Sequence, residues 1–135
     1  MKIILRVFAV ILLTLLGIGG IYGGYMLFSD PSGKKFQWTV EMLEGTPFKN
    51  FLIPGITLFI VNGLLPLFIA ILTIIKAKYY EWLIIIQGCI LAGWLSAELI
   101  FNKDLYWPGM HISLYSMGII FVITGIALLR ISKNN

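Results

Sequence analysis

The sequence predicts an all-α protein: a four-transmembrane-helix antiparallel bundle in which residues 1–135 form a single integral membrane domain. Two observations predict this fold. Hydrophobic residues make up 59% of the chain and charged residues only 12%, whereas charged residues account for about a quarter of soluble proteins. The chain also contains four long apolar runs. Because a small soluble domain leaves much of its surface in water, lipid must surround most of this chain.

Each apolar run is long enough to cross a bilayer, since about 20 residues rising 1.5 Å each span a hydrocarbon core of about 30 Å. Three runs contain no charged residue, and the other contains only Glu98. Apolar residues do not alternate with a period of two, and backbone groups in lipid must be paired internally, so helices are favoured over barrel strands. The expected helices cover residues 4–28, 47–76, 81–101 and 109–131.

The first run has two interpretations. Lys2 and Arg6 precede it, as basic residues precede the apolar core of a secretory signal, and Gly17 and Gly19 resemble the small residues of a cleavage site. However, the apolar sequence continues to Phe28, well past the length of a signal core. We therefore predict a retained transmembrane helix.

Glycines in this first helix have the spacing of close helix contacts. Gly19 with Gly23, and Gly20 with Gly24, form two overlapping G-x-x-x-G patterns, which let another backbone approach closely. The predicted packing face can serve the bundle itself, a second copy of the chain or a partner membrane protein.

Residues 29–50 form a 22-residue outer loop between the first two helices. An Asp-Pro-Ser-Gly turn is predicted at its start, and a Thr-Pro pair is predicted to cap and begin the second helix. Aromatic and aliphatic residues between them place the loop on the outer membrane surface or over the bundle mouth. The loop residues singled out are Asp30, Pro31, Trp38, Thr46 and Pro47.

This loop also carries a resemblance. The pattern of Asp-Pro-Ser-Gly at 30–33, Thr-Pro-Phe at 46–48, Phe51 and Ile-Pro-Gly at 53–55 resembles small bacterial four-helix integral membrane proteins of no known activity. The resemblance implies the four-helix topology and a bacterial plasma membrane, and it implies no catalytic residue.

Basic residues are unequally divided between the two sides of the predicted bundle. Glu81 reduces the richer side to a net charge of +5, whereas four acidic residues cancel the four lysines opposite. Because the richer side faces the cytoplasm, both termini are expected there. No basic stripe for nucleic acid is present. The richer side contains Lys2, Arg6, Lys76, Lys78, Arg130 and Lys133.

Glu98 is the main candidate for a functional site, because an ionisable side chain within a membrane helix costs several kcal/mol unless it is paired or hydrated. Glu98 and His111 lie at matching depths near the outer ends of the third and fourth helices. Tyr115 and Trp94 lie one turn deeper on the same faces. Two interpretations stay open: a static tie between helices, or a site that binds a ligand or handles protons.

The remaining polar residues suggest packing. We expect Asn62 and Gln87 to form interhelical hydrogen bonds at different depths, and Cys89 to be buried and inert. Prolines 54 and 66 predict an irregular second helix. One histidine and one cysteine make a metal site implausible, so no metal, cofactor or catalytic residue is expected.

Three functions are compatible with these features. The first is a non-enzymatic membrane component that binds lipid, a second copy or a partner protein. The second is a small transporter or ligand-binding protein that uses Glu98 and His111, although the first helix lacks the deep carboxylate of small multidrug transporters. The third is a lipid-modifying enzyme, for which redox chemistry by a cysteine pair is excluded because Cys89 has no second cysteine.

Overall fold

A computed structural model describes residues 1–33, 49–101 and 108–134, and the regular structure within these ranges is helical. Four stretches are long and apolar enough to cross a bilayer, which confirms the all-α prediction; we call them the first to fourth spans. The second span is divided by a π-helical segment. The elements are α1 (Lys2–Ser29), α2 (Leu52–Phe59), the π segment (Ile60–Leu64), α3 (Leu65–Ile74), α4 (Tyr80–Phe101) and α5 (Pro108–Asn134).

The spans pack as two helix pairs. The first span contacts the whole second span, and α4 contacts α5 along its length. Contacts of α1 with α5 and of α3 with α4 join the pairs. The shared apolar core consists of Ala9, Leu13, Leu16, Ile69, Ala70, Tyr80, Ile84, Leu91, Leu95, Phe121 and Leu128.

Glycines hold the first pair together at backbone distance. A Cβ atom at Gly24 would lie 2.7 Å from the carbonyl oxygen of Gly55, and one at Gly17 would lie 2.9 Å from that of Gly63. A Cβ atom at Gly20 would overlap the carbonyl group of Asn62. Side chains at these positions would force the helices apart, so the close approach depends on their absence.

The second span begins at Leu52, five residues after the expected start at Pro47. The side-chain oxygen of Asn50 accepts the backbone N–H of Leu52 at 3.0 Å, while Phe51 occupies the N-cap position without a side-chain cap hydrogen bond. The N–H of Phe51 donates to the carbonyl of Pro31 at 2.8 Å. This backbone bond attaches the start of the second span to the turn that follows α1.

The irregularity expected in the second span takes the form of the π segment. The N–H of Leu65 reaches back five residues to Ile60, and Pro66 has no N–H to donate. Neither residue therefore provides a backbone N–H donor for the carbonyl of Val61. The side chain of Gln87 on α4 donates to that carbonyl at 3.4 Å. A carbonyl that lacks a donor in its own helix therefore accepts a hydrogen bond from a neighbouring span.

The turn between α3 and α4 is a Schellman motif. The N–H of Ala77 donates to the carbonyl of Leu72 at 2.9 Å, and the N–H of Lys76 donates to that of Thr73 at 3.3 Å. Lys76 has a φ of 56° and Tyr79 a φ of 69°. Glycine normally occupies the first of these positions, because a Cβ atom is disfavoured in the left-handed region.

Candidate functional site

The polar cluster predicted near the ends of the third and fourth spans forms between α4 and α5. Nε2 of His111 lies 3.3 Å from Oε2 of Glu98. The histidine side chain is fully buried, whereas the glutamate side chain is 24% exposed. The acid therefore lies at the edge of the helix pair and the imidazole lies inside it.

Two further polar contacts belong to this cluster. The indole of Trp94, one turn from Glu98 on α4, lies beside its carboxylate. Tyr115, one turn from His111 on α5, shares a hydrogen bond of 2.8 Å with Ser96 rather than with the acid. Sequence reasoning missed Ser96, because a serine in a helix often bonds to its own backbone and gives no signal of an interhelical partner.

The local electrostatics favour a stable pair at this position. A lone carboxylate within an apolar span costs several kcal/mol, and the imidazole and indole beside Glu98 offset part of that cost. A carboxylate next to an imidazole can also exchange a proton with a bound molecule. The geometry thus permits either a stabilising contact between α4 and α5 or a proton-handling site. The partial exposure of Glu98 favours the proton-handling site.

A second polar contact joins Asn62 in the π segment to Gln87 on α4. The Gln87 amide nitrogen donates to the Asn62 side-chain oxygen at 3.3 Å. Both side chains are almost completely buried. The expectation that they lie at different depths is wrong, because these two side-chain atoms lie within hydrogen-bonding distance of each other.

The other glycines singled out in the sequence separate into two groups. Gly20 and Gly24 pack closely against the second span. A Cβ atom at Gly19 would meet no described atom within 4 Å, and one at Gly23 would meet only the tip of the Leu58 side chain. One face of α1 therefore packs against the second span, whereas Gly19 is exposed on the surface of the bundle.

The predicted turn after α1 is confirmed. The N–H of Gly33, which has a φ of 81°, donates to the carbonyl of Asp30 at 3.1 Å. The Asp30 carboxylate also accepts the hydroxyl of Ser32 at 2.6 Å. Pro31 occupies the second position of this turn. The remaining loop residues, Trp38, Thr46 and Pro47, lie outside the described residues.

Cys89 differs from its prediction, because its side chain is exposed on α4 rather than buried. A thiol is small and apolar enough to face lipid as readily as a packed core. Hydropathy alone does not distinguish these two environments.

No known protein family, curated protein or solved structure shows significant similarity to this chain. The resemblance to small bacterial four-helix membrane proteins therefore stays a prediction that concerns topology and membrane type.

Proposed function

We propose that this chain is a non-enzymatic, four-pass antiparallel bundle of a bacterial plasma membrane that binds another membrane component, either a lipid or a partner protein. One observation carries the proposal: polar side chains from different helices contact one another inside the bundle. Glu98 contacts His111, Tyr115 bonds to Ser96, and Gln87 bonds to Asn62. Groups engaged in this way stabilise a binding scaffold, and interhelical hydrogen bonds are the ordinary means of doing so in membranes.

A double-mutant cycle tests whether the Glu98–His111 contact stabilises the packing of α4 against α5. Glu98→Gln, His111→Gln and the double variant are compared for their free energy of unfolding in mild detergent. We expect a coupling energy of about 1 kcal/mol, the usual size for a polar contact between membrane helices. Ser113→Ala, at an exposed position of α5, is the control and should not couple to Glu98→Gln. A coupling energy of zero would show that the two side chains do not stabilise each other.

The binding part of the proposal is tested on the purified full-length chain. Native mass spectrometry should find a defined homo-oligomer, a stoichiometric partner or retained lipid. A strictly monomeric particle that retains no other molecule would count against a binding component.

The proposed topology places both termini in the cytoplasm, because the side with more Lys and Arg residues normally faces inwards. It is tested by labelling in the Cys89→Ser background, which removes the native thiol. A membrane-impermeant maleimide applied to intact cells should label Lys49→Cys, and it should label Lys78→Cys only after lysis. Both lysines are exposed, so the two positions differ chiefly in the side of the membrane. The reverse pattern would invert the topology.

A second function is favoured by the partial exposure of Glu98. In this alternative, Glu98 and His111 bind a small cationic or proton-exchanging ligand that enters from the outer end of the bundle. The ligand should release a proton on binding, and Glu98→Gln should abolish that release. Proton release that survives the substitution would exclude this function. The non-enzymatic binding scaffold would then be the remaining proposal.

A further inference from the structure

A basic cavity lies at the end of the bundle opposite the Glu98–His111 contact. It has a volume of 740 Å³ and is lined by the beginning of α1, the α3–α4 turn, the beginning of α4 and the end of α5. Four cationic residues line it, and Glu81 is the one acidic residue among its lining residues. The cations are Lys2, Lys76, Lys78 and Arg130. These charges come from distant parts of the sequence and converge only in the folded bundle.

The cavity also has the aromatic edge expected at a membrane interface. Tyr79 and Trp82 line it, and these residues are 60% and 52% exposed. Tyrosine and tryptophan concentrate at the level of lipid headgroups, because their rings are apolar at one end and polar at the other. The cavity therefore lies where a headgroup would be found rather than in the aqueous phase.

Two buried polar groups at this end of the bundle have no hydrogen-bond partner among the described residues. They are the hydroxyl of Tyr80, which lines the cavity, and Nε of Arg6, which lines the neighbouring groove between α1 and α3. Tyr80 as a whole residue is only 5% exposed. Buried donors are normally satisfied, so the Tyr80 hydroxyl in a cavity lined by four cations indicates a missing acceptor, and an anionic oxygen would satisfy it.

An apolar groove of 240 Å³ runs between α1 and α3 at the same end. Arg6 is the only charged residue among its lining residues, which otherwise include Val7, Val10 and Ile11. The groove and the cavity use adjacent parts of the same helices: Ile3 lines the groove directly after Lys2, and Ile74 lines it two residues before Lys76. A molecule with a charged head and an apolar tail fits this arrangement.

We propose that the basic cavity binds the phosphate of an anionic phospholipid, with one acyl chain along the α1–α3 groove. The lysines and Arg130 supply charge, and Tyr80 and Arg6 donate hydrogen bonds. A free phosphate shares the headgroup chemistry, but it does not use the groove or the aromatic edge. This inference rests on the proposed function in one respect, namely that the chain spans a bilayer and binds a membrane component.

The backbone of the α3–α4 turn supports a binding role for Lys76. Its left-handed φ of 56° favours glycine, so a lysine at this position is not explained by the turn itself. Strained residues of this kind concentrate at functional sites. A lysine here places a cation at the cavity, which a glycine would not.

The experiment compares full-length protein in micelles containing phosphatidylglycerol with protein in micelles containing phosphatidylcholine of the same acyl chains. Bound lipid is counted by native mass spectrometry, and the apparent melting temperature is measured. Lys76→Gly and Lys78→Gln should each weaken phosphatidylglycerol binding about fivefold. Lys49→Gln, which removes an equal charge at the other end of the bundle, should leave binding within twofold. Lys76→Gly should not lower the melting temperature in phosphatidylcholine, because glycine suits the turn.

Competition identifies the source of the phosphate group. Millimolar inorganic phosphate should not displace phosphatidylglycerol from the wild-type protein; displacement would overturn the lipid assignment in favour of a soluble anion. Equal binding of the two lipids, or an equal loss from Lys49→Gln, would overturn the cavity as a specific site. These failures leave the scaffold proposal standing, because the Glu98–His111 coupling and the native mass of the protein are measured independently.

Discussion

Gly20→Ala should destabilise the protein more than a methyl group added at any other glycine discussed above. The added Cβ atom would overlap the backbone carbonyl of Asn62, and a backbone group inside a helix cannot rotate away as a side chain can. Overpacking of this kind typically costs about 1–3 kcal/mol, and we expect the upper end of that range. The measurement is the free energy of unfolding in mild detergent, or the apparent melting temperature.

The adjacent glycine provides a matched control. Gly19→Ala adds the same methyl group to the same helix, at a position where no described atom lies within 4 Å of the new Cβ. Because alanine favours helix over glycine by about 1 kcal/mol, this variant should be as stable as the wild type or more stable. Equal destabilisation by both substitutions would contradict the packing of α1 against the second span.

Gln87→Met should have the second-largest effect, because it keeps the side-chain length and removes the amide. The carbonyl of Val61 and the side-chain oxygen of Asn62 would then both lose the donor that reaches them from α4. An unsatisfied buried polar group costs about 1–3 kcal/mol, so we expect a loss of about 2 kcal/mol. Hydrogen exchange should also increase in the π segment, where the effect originates.

Cys89→Met introduces the same residue two positions along α4 and serves as the control. The Cys89 side chain is exposed, so its replacement should leave stability and hydrogen exchange unchanged. If Gln87→Met were equally neutral, the Asn62–Gln87 contact would contribute nothing to the bundle, and the π segment would need another source of stability.

The sequence was most informative where a feature depends on local length and composition. The spans α1, α4 and α5 begin and end within three residues of their expected bounds, because charged residues and turns directly mark where an apolar run stops. The start of the second span was predicted less well. Thr46 and Pro47 form a good local start signal, whereas the helix begins at Leu52, next to the Asn50–Leu52 hydrogen bond and the backbone bond from Phe51 to Pro31.

The candidate site was predictable in part. Counting residues from the span ends brought Glu98 and His111 to the same depth, and the structure places them 3.3 Å apart. The depth of a residue does not specify the direction in which its side chain points. The sequence therefore does not predict that Tyr115 bonds to Ser96 rather than to Glu98. The basic cavity was missed for a related reason: the charge distribution placed the α3–α4 turn and both ends of the chain on one side of the bundle, but it does not show that they line a common cavity.

By itself, the sequence determined how many helices could cross a bilayer and approximately where each one ends, because the solvation of apolar side chains and charges is a local property. Only the tertiary structure decided which faces meet. It selected Gly20 over Gly19 for packing, paired Gln87 with Asn62 and brought Lys2, Lys76 and Arg130 around one cavity. These outcomes depend on helix rotation and on contacts between distant segments, which neighbouring residues in the chain do not encode.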